Sequence, residues 1–383
     1  MTVLTSAKLL TGGEAVAHAM RQVNPDVVPV YPITPQTPII ETFAKLAAAG
    51  LADAEIVNVE SEHSAMSAAV GAALAGARTM TATSSQGLAL MAEVVYIAAS
   101  MRAPVVMAVG NRALSGPINI HCDHSDAMLV RDSGCVQLFA QDAQEAYDLM
   151  VMAPRIAERG DVLLPVLVGL DGFTVTHLAE PVELLPDEAV REFVGEYSIP
   201  HSLLGGDVTT HGPFAMPDSY FELKVGQARA LDCALHAFAE VAHEFAELSG
   251  RKLGVLDAYR LEDAGRAIVL LGSTAGTVKD VVDELRAQEE EVGVLAIRSF
   301  RPFPRGEIRA ALEWLDEAAV LDRALSPGAF APLYAEIAAA TYNTDLHLRS
   351  HVYGLGGRDL LPEHIRAVFA GTAPDFPGLR WDA

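Results

Sequence analysis

The sequence predicts an α/β protein built from two parallel-sheet units. The chain of 383 residues is too long for one average domain. Short apolar runs alternate with Ala-rich helical stretches through its first 175 or so residues, and the same alternation restarts near Asp263. Strands that alternate with helices imply a parallel sheet covered on both faces. Between the two alternating regions lies a stretch broken by Pro181, Pro186, Pro200, Pro213 and Pro217, with Gly205-Gly206.

In chain order, Gly12-Gly13-Glu14-Ala15 opens a first helix, and Val27–Val30 reads as a strand that stops at Tyr31 and turns through Pro32. Thr34-Pro35 then predicts a helix start, running to about Gly50, because Thr is a good N-cap and Pro a good first residue. On this reading the N–H groups of Gln36 and Thr37 are free at that start, which favours an anion. Glu55–Val59 is the next strand, and Ser61 caps a helix from Glu62 to about Ala75 that is rich in Ala, Ser and Gly. Arg78–Thr83 follows as a strand, Ser84-Ser85-Gln86-Gly87 as a polar turn and Leu88–Met101 as a helix. Pro104–Val109 and Leu163–Leu170 complete the strands read in the first unit. His177–Asp218 reads as an extended arm, and a long helix from Tyr220 to about Leu248 ends at Gly250. In the second unit Arg266–Leu271 runs into Gly272-Ser273-Thr274-Ala275-Gly276, with a helix from Thr277. Val292–Ile297 and Ala318–Leu321 are further strands. Three segments result: 1–176, 177–260 and 261–383.

Composition narrows the function. The net charge of −23, from 27 basic and 50 acidic side chains, argues against nucleic acid and anionic membrane surfaces as partners. Cys122, Cys135 and Cys233 form no Cys-x-x-Cys, so this chain alone builds no zinc or iron–sulfur framework. Three scattered thiols fit a reducing cytosol. Met1–Gly13 lacks the basic start and long apolar core of a signal peptide, and runs such as Val162–Leu170 are too short to span a bilayer. The expected location is cytoplasmic.

Ligands in parallel α/β sheets sit outside the carboxyl ends of the strands. Thr34, Ser61-Glu62, Ser84-Ser85 and Asn111-Arg112 all fall at such ends and would share one rim. Glu62, at a helix start among small residues, is either a functional carboxyl or a helix-dipole partner. Arg112 is suited to clamp a carboxylate with two hydrogen bonds, or else to form a surface ion pair. His121-Cys122-Asp123-His124-Ser125-Asp126 carries metal-ligand residue types at close spacing but matches no metal motif, and reads better as a structured loop near an interface. Gly272–Gly276 lacks the Lys-Ser/Thr ending of a P-loop and the spacing of the dinucleotide fingerprint, which leaves a tight strand-to-helix turn or an anion site.

Longer motifs add a resemblance. Tyr31-Pro-Ile-Thr-Pro35, Ser61-Glu-His-Ser-Ala65, Thr81-Ala-Thr-Ser-Ser-Gln-Gly87 and the run Asn111–Asp126 are similar to the alpha subunits of multi-subunit pyruvate:ferredoxin oxidoreductases (pyruvate synthases), of the 2-oxoacid:ferredoxin oxidoreductase family. Gly272–Gly276, Phe300-Arg-Pro-Phe-Pro304, Val320-Leu-Asp-Arg323 and Tyr353-Gly-Leu-Gly-Gly-Arg-Asp359 extend it over essentially the whole chain. Gly13 departs from the family's Gly-Asn-Glu-Ala run, so any contact of that Asn is lost here.

The resemblance implies a thiamine-diphosphate-binding domain on the pyrimidine side, followed by a transketolase C-terminal-like domain. It implies reversible conversion of pyruvate and coenzyme A to acetyl-CoA and carbon dioxide, with electrons passed to ferredoxin. A beta subunit would hold the diphosphate, Mg2+ and a proximal [4Fe-4S] cluster. Gamma and ferredoxin-like delta subunits, or fusions of them, complete the complex. Glu62 would hydrogen-bond the pyrimidine N1′ and favour its imino tautomer. A carboxyl among apolar, small residues keeps its proton more readily, which suits that role. Pro32, Ile33 and Ser85 would line the cofactor, while Thr34 and Arg112 would hold the substrate's oxygens. Alternatives are the same chemistry on 2-oxoisovalerate, 2-oxoglutarate or an aryl 2-oxoacid, and a non-redox transferase of the transketolase type.

Overall fold

The computed structural model describes residues 6–206 and 208–373. Residues 1–5 of the start judged for a signal peptide, and the end of the third segment, lie outside them. Strand β1 (Ser6–Thr11) leads into helix α1 (Gly12–Val23). Thr11 closes a capping box there: its hydroxyl accepts from the Glu14 N–H at 3.2 Å, and its own N–H donates to the Glu14 carboxylate at 2.8 Å. The chain then runs β2 (Val27–Val30), α2 (Thr37–Ala48), β3 (Glu55–Asn58), α3 (Glu62–Ala75), β4 (Thr79–Thr83), α4 (Ser85–Met101) and β5 (Val105–Asn111). Next come α5 (Ser125–Leu129), β6 (Val136–Phe139), α6 (Ala143–Ala157) and β7 (Val166–Asp171).

Most of these strands form one sheet of order β6-β7-β5-β4-β2-β3, all parallel. Both of its faces are buried, as strand β5 shows. Val106 and Ala108 pack into a core with α1, α2 and α6, whereas Val105, Met107 and Val109 pack against α3 and α4. The period of two places alternate side chains on opposite faces.

The proline-punctuated stretch is not simply an extended arm. It contains β8 (Ala179–Leu184), antiparallel to β1, and α7 (Asp187–Val194), which seats Val190 in the first core. Asp187 is gripped at 2.5 and 2.6 Å by Arg21 of α1. The long helix α8 (Tyr220–Ser249) follows and ends at Gly250, whose φ of 76° suits glycine.

The second unit has its own sheet. Its elements are β9 (Leu256–Tyr259), β10 (Arg266–Leu271), α9 (Thr274–Arg286), β11 (Val292–Ile297), β12 (Ser299–Arg301), α10 (Arg305–Leu312), β13 (Glu317–Asp322), α11 (Pro332–Ala340), β14 (His347–Val352) and α12 (Pro362–Phe369). The sheet order is β14-β13-β10-β11-β9, with only β9 antiparallel among them. Strand β12 leaves this unit and joins the first sheet, antiparallel to β6 at its edge. Phe139 of β6 and Ala127 correspondingly sit in a core made chiefly by the second unit. No described helix is long and apolar enough to cross a membrane.

Three helix starts differ from the sequence expectation. Helix α2 begins at Thr37 rather than Pro35, with Gln36 in place of Thr34 at its cap and Pro38 in its first turn. The N–H groups of Gln36 and Thr37 are not free: both donate to the Ile33 carbonyl, at 2.8 and 3.1 Å. Helices α4 and α9 each begin three residues early, since polar and small residues that look like a turn form the first helical turn.

Candidate functional site

The carboxyl ends of β2, β3, β4 and β5 converge as the alternation requires, and they bring Thr34, Glu62, Ser85 and Arg112 to one rim. Glu62 is the first residue of α3, 7 % exposed. Ser61 caps that helix, its hydroxyl accepting from the Ser64 N–H at 3.2 Å. The first turn of α4 lies against Glu62 because residue 87 is glycine. A Cβ there would fall 2.4 Å from Thr83 Oγ1 and 2.8 Å from Glu62 Oε1. The carboxyl group is thereby held beside the end of β4.

Three buried polar atoms at these strand ends have no partner among the described residues: Thr83 Oγ1, close to Glu62 at Gly87, Ser84 Oγ, close to Gly110, and Gln36 Nε2. Buried polar groups are nearly always paired in folded proteins, so three orphans at one sheet rim point to a ligand that completes them. Gly110 leaves room there, since a Cβ at that position would lie 3.1 Å from Ser84 Oγ and 3.3 Å from Pro35 Cγ.

Arg112 is 7 % exposed and has no carboxylate partner among the described residues. Its Nε donates to the Asn119 carbonyl and its Nη1 to the Thr34 carbonyl, each at 2.9 Å. Carbonyls orient the guanidinium without neutralising it. Thr34 therefore steers Arg112 through its backbone, and its exposed side chain stays at the mouth with Pro32. Ile33 is half-buried, and its N–H bonds Gln36 Oε1 at 3.2 Å.

Ser85 holds a different post. Its hydroxyl donates to the Ala113 carbonyl at 2.6 Å and its N–H to Asp126 at 2.9 Å, while its φ is 47°. That hydroxyl is committed within the chain, so Ser85 shapes the turn. Asp126 is the organiser the sequence reading missed. Fully buried, it accepts from the N–H groups of Ser85, Arg112 and Ala127 and from Asn111 Nδ2, at 2.8–3.0 Å. Burial pushes its carboxyl up to about 6, although these four donors oppose the rise. Gln36, Thr83, Gly87 and Asp126 all stand inside or beside the quoted motifs, but their partners lie far off in sequence.

The His121–Asp126 loop does lie at an interface. His124 Nε2 is 2.7 Å from Asp171 Oδ1, and Cys122 lies close enough to share a small ligand set with both. Asp171 also accepts from Arg323 Nη1 at 2.9 Å and from the N–H and hydroxyl of Ser273 at 3.0 and 2.6 Å. Burial alone would push the Asp171 carboxyl up, but Arg323 and His124 hold it well below the usual carboxylate range. Asp171 ties β7 to β10 and β13 of the other unit.

Comparisons with known proteins agree with this layout. The family model "Pyruvate flavodoxin/ferredoxin oxidoreductase, thiamine diP-bdg" matches residues 18–243, and "Pyruvate:ferredoxin oxidoreductase core domain II" matches residues 264–365. The chain is 57 % identical to pyruvate synthase subunit PorA of Thermotoga maritima, over 94 % of this chain and 93 % of the relative. It is 39 % identical to ketoisovalerate oxidoreductase subunit VorA of Pyrococcus abyssi, over 94 % and 92 %. The solved 2-oxoglutarate:ferredoxin oxidoreductase of Magnetococcus marinus superposes with a TM-score of 0.74 at 19 % identity. That match covers 96 % of this chain and 65 % of the other, so the chain spans about two thirds of that protein's length and shares its fold.

Proposed function

The chain belongs to the pyruvate flavodoxin/ferredoxin oxidoreductase family, and we propose that it is the alpha subunit of a pyruvate:ferredoxin oxidoreductase. In this reading the assembled enzyme converts pyruvate and coenzyme A reversibly to acetyl-CoA and carbon dioxide and passes the electrons to ferredoxin. The observation that carries it is the rim itself: a buried Glu62 close to the unpartnered Thr83 Oγ1, two further unpartnered groups at the strand ends, Ser84 Oγ and Gln36 Nε2, and an Arg112 with no carboxylate partner among the described residues.

These residues fit the aminopyrimidine half of thiamine diphosphate. The orphaned groups are hydrogen-bonding, Gly87 and Gly110 put no side chain at the rim, and Glu62 supplies a buried carboxyl able to bond a ring nitrogen. When bound, the cofactor supplies the nucleophilic carbon and the electron sink that decarboxylation of a 2-oxoacid needs. Glu62 holds a proton at the pyrimidine N1′ and so sets the tautomer at the neighbouring amino group. Pro32 and Ile33 form the wall beside it. Arg112, oriented by the Thr34 and Asn119 carbonyls, pairs with the substrate carboxylate. The Thr34 hydroxyl reaches the substrate's oxygens from the mouth. Ser85 and Asp126 keep the loop after β5 and the start of α4 in register.

The three cysteines of this chain build no cluster framework, which supports placing the [4Fe-4S] clusters in partner subunits; in this reading a beta subunit holds Mg2+, the diphosphate and a proximal cluster, a ferredoxin-like delta subunit holds further clusters, and a gamma subunit completes the cytoplasmic complex. The segments 1–176, 177–260 and 261–383 are proposed as its pyrimidine-binding domain, linking arm and helix, and C-terminal domain. Similarity to a ketoisovalerate oxidoreductase subunit favours one second reading, the same chemistry on a branched 2-oxoacid. The test is viologen reduction by the purified complex with pyruvate, 2-oxoisovalerate, 2-oxoglutarate and phenylpyruvate, each with and without coenzyme A. Coenzyme A-dependent reduction fastest with pyruvate is the expected outcome. Preference for 2-oxoisovalerate selects the second reading, and no reduction with any 2-oxoacid overturns both.

A further inference from the structure

A cavity of about 400 Å³ beside the Asp171 knot has no part in the mechanism above. It lies between the two units. Its floor is the start of α9, a helix of 13 residues. Ser273 gives its N–H to Asp171, but the Thr274 N–H finds no acceptor among the described residues. Unpaired N–H groups and the helix dipole make such a start favourable for an anion.

A second, independent observation points the same way. Arg323 lines the cavity, and only 9 % of it is exposed. One of its nitrogens, Nη1, reaches Asp171; Nε is buried with no partner. Asp171 is shared with His124, so the cluster of His124, Asp171 and Arg323 does not use up the guanidinium's donors. Arg358 stands at the rim of the same cavity, exposed and without an ion pair among the described residues. Thr277 adds a hydroxyl with no hydrogen bond among the described residues. The Thr274 hydroxyl accepts from Tyr353 at 2.9 Å and keeps its proton to donate. Asp359, also exposed, is the one acidic side chain lining the space.

We infer that this cavity binds a phosphate group. The donors come from several directions: one backbone N–H, two hydroxyls and two guanidinium groups. That arrangement suits a tetrahedral oxyanion better than a planar carboxylate. The space is of the size that holds an organic ligand, and His121 and Phe173, with ring centroids 5.1 Å apart, form an aromatic wall beside it. A phosphate ester therefore fits as well as free phosphate. The inference stands apart from the proposed reaction, since none of these groups touches the rim of Glu62.

The test uses the assembled complex loaded with thiamine diphosphate and Mg2+ in phosphate-free, low-salt buffer. Inorganic phosphate, AMP and adenosine are titrated by calorimetry. Saturable binding of phosphate or AMP, one per alpha chain, with none of adenosine, is expected. Tighter binding of AMP assigns the source as an ester, and tighter binding of phosphate assigns the free ion. Arg358→Gln, at an exposed and unpaired side chain, is expected to weaken binding about tenfold, and Thr277→Val to weaken it less. Absence of saturable binding by both phosphate probes, equal affinity for adenosine, or affinity unchanged in both variants overturns the inference.

Discussion

Two buried aspartates organise this chain in opposite ways. Asp126 sits under the rim and Asp171 at the junction of the two units; neither is exposed to solvent. Asp126 meets four N–H donors and no cation within hydrogen-bond distance, and burial raises its carboxyl to about 6. Asp171 meets His124 and Arg323 and is held well below the ordinary range. Dipoles around Asp126 fix geometry, and the nearby Arg112, whose guanidinium bonds carbonyls, has no carboxylate partner among the described residues. Arg323, His124 and Ser273 around Asp171 close a knot between units. On the proposed reading the first arrangement serves chemistry and the second cohesion, so substitutions at the two places should fail in different measurements.

The largest effect on turnover is expected at the rim. Glu62→Gln keeps the shape and removes the acid, and should lower kcat by about 100-fold or more with subunit assembly unchanged on gel filtration. Turnover near wild type would remove Glu62 from the proposed chemistry. The largest effect on stability is expected at the junction. Asp171→Asn leaves Arg323 buried without its counter-charge, at a cost of about 3–5 kcal/mol, read as a fall in the denaturation midpoint. A midpoint within error of wild type would mean that the knot does not hold the units together. Arg112→Ala should raise KM for pyruvate about tenfold or more while the midpoint barely moves. Equal changes in both quantities would erase the contrast between the two regions.

The smallest effect is in the pH dependence of stability. The folded-state value for Asp126 is about 6, above its ordinary 3.8. Over that window the folded chain holds a proton that the unfolded chain has lost, so this group's contribution falls as pH rises toward about 6 and is flat beyond. Asp171 has the opposite sign: its contribution is present above the usual carboxylate range and is lost as pH falls below it. The difference in stability between wild type and Asp126→Asn should accordingly slope between about pH 4 and 6. A flat difference would place the carboxyl in an ordinary environment.

The rim was legible in the sequence because strand ends are marked by polar turns after apolar runs, as at Ser61-Glu62 and Asn111-Arg112. The knots were not. Asp126 resembles a metal-ligand type beside His124, and only the fold brings Ser85 and Asn111 onto it. The start of α2 was misplaced by two residues because Thr34-Pro35 reads as a cap and first residue, whereas the turn closed on the Ile33 carbonyl makes Gln36 the cap and Thr37 the first helical residue. Residues 127–162, with β6 and α6, carried no assignment. Strand β12 has three residues, too short for any periodicity, and pairs with β6 at the edge of the first sheet.

That last pairing bears on how the chain matures. Ser299 and Arg301 pair with Leu138 and Gln137, so the sheet that carries Glu62 and Arg112 is not finished until the second unit has been made. On the ribosome β6 emerges long before its outer neighbour and waits with an open edge, the kind of surface that captures foreign strands. A truncation placed between the two units would expose that edge permanently. The half that carries the rim is thus a half in sequence only: its last strand arrives from the other side of the boundary.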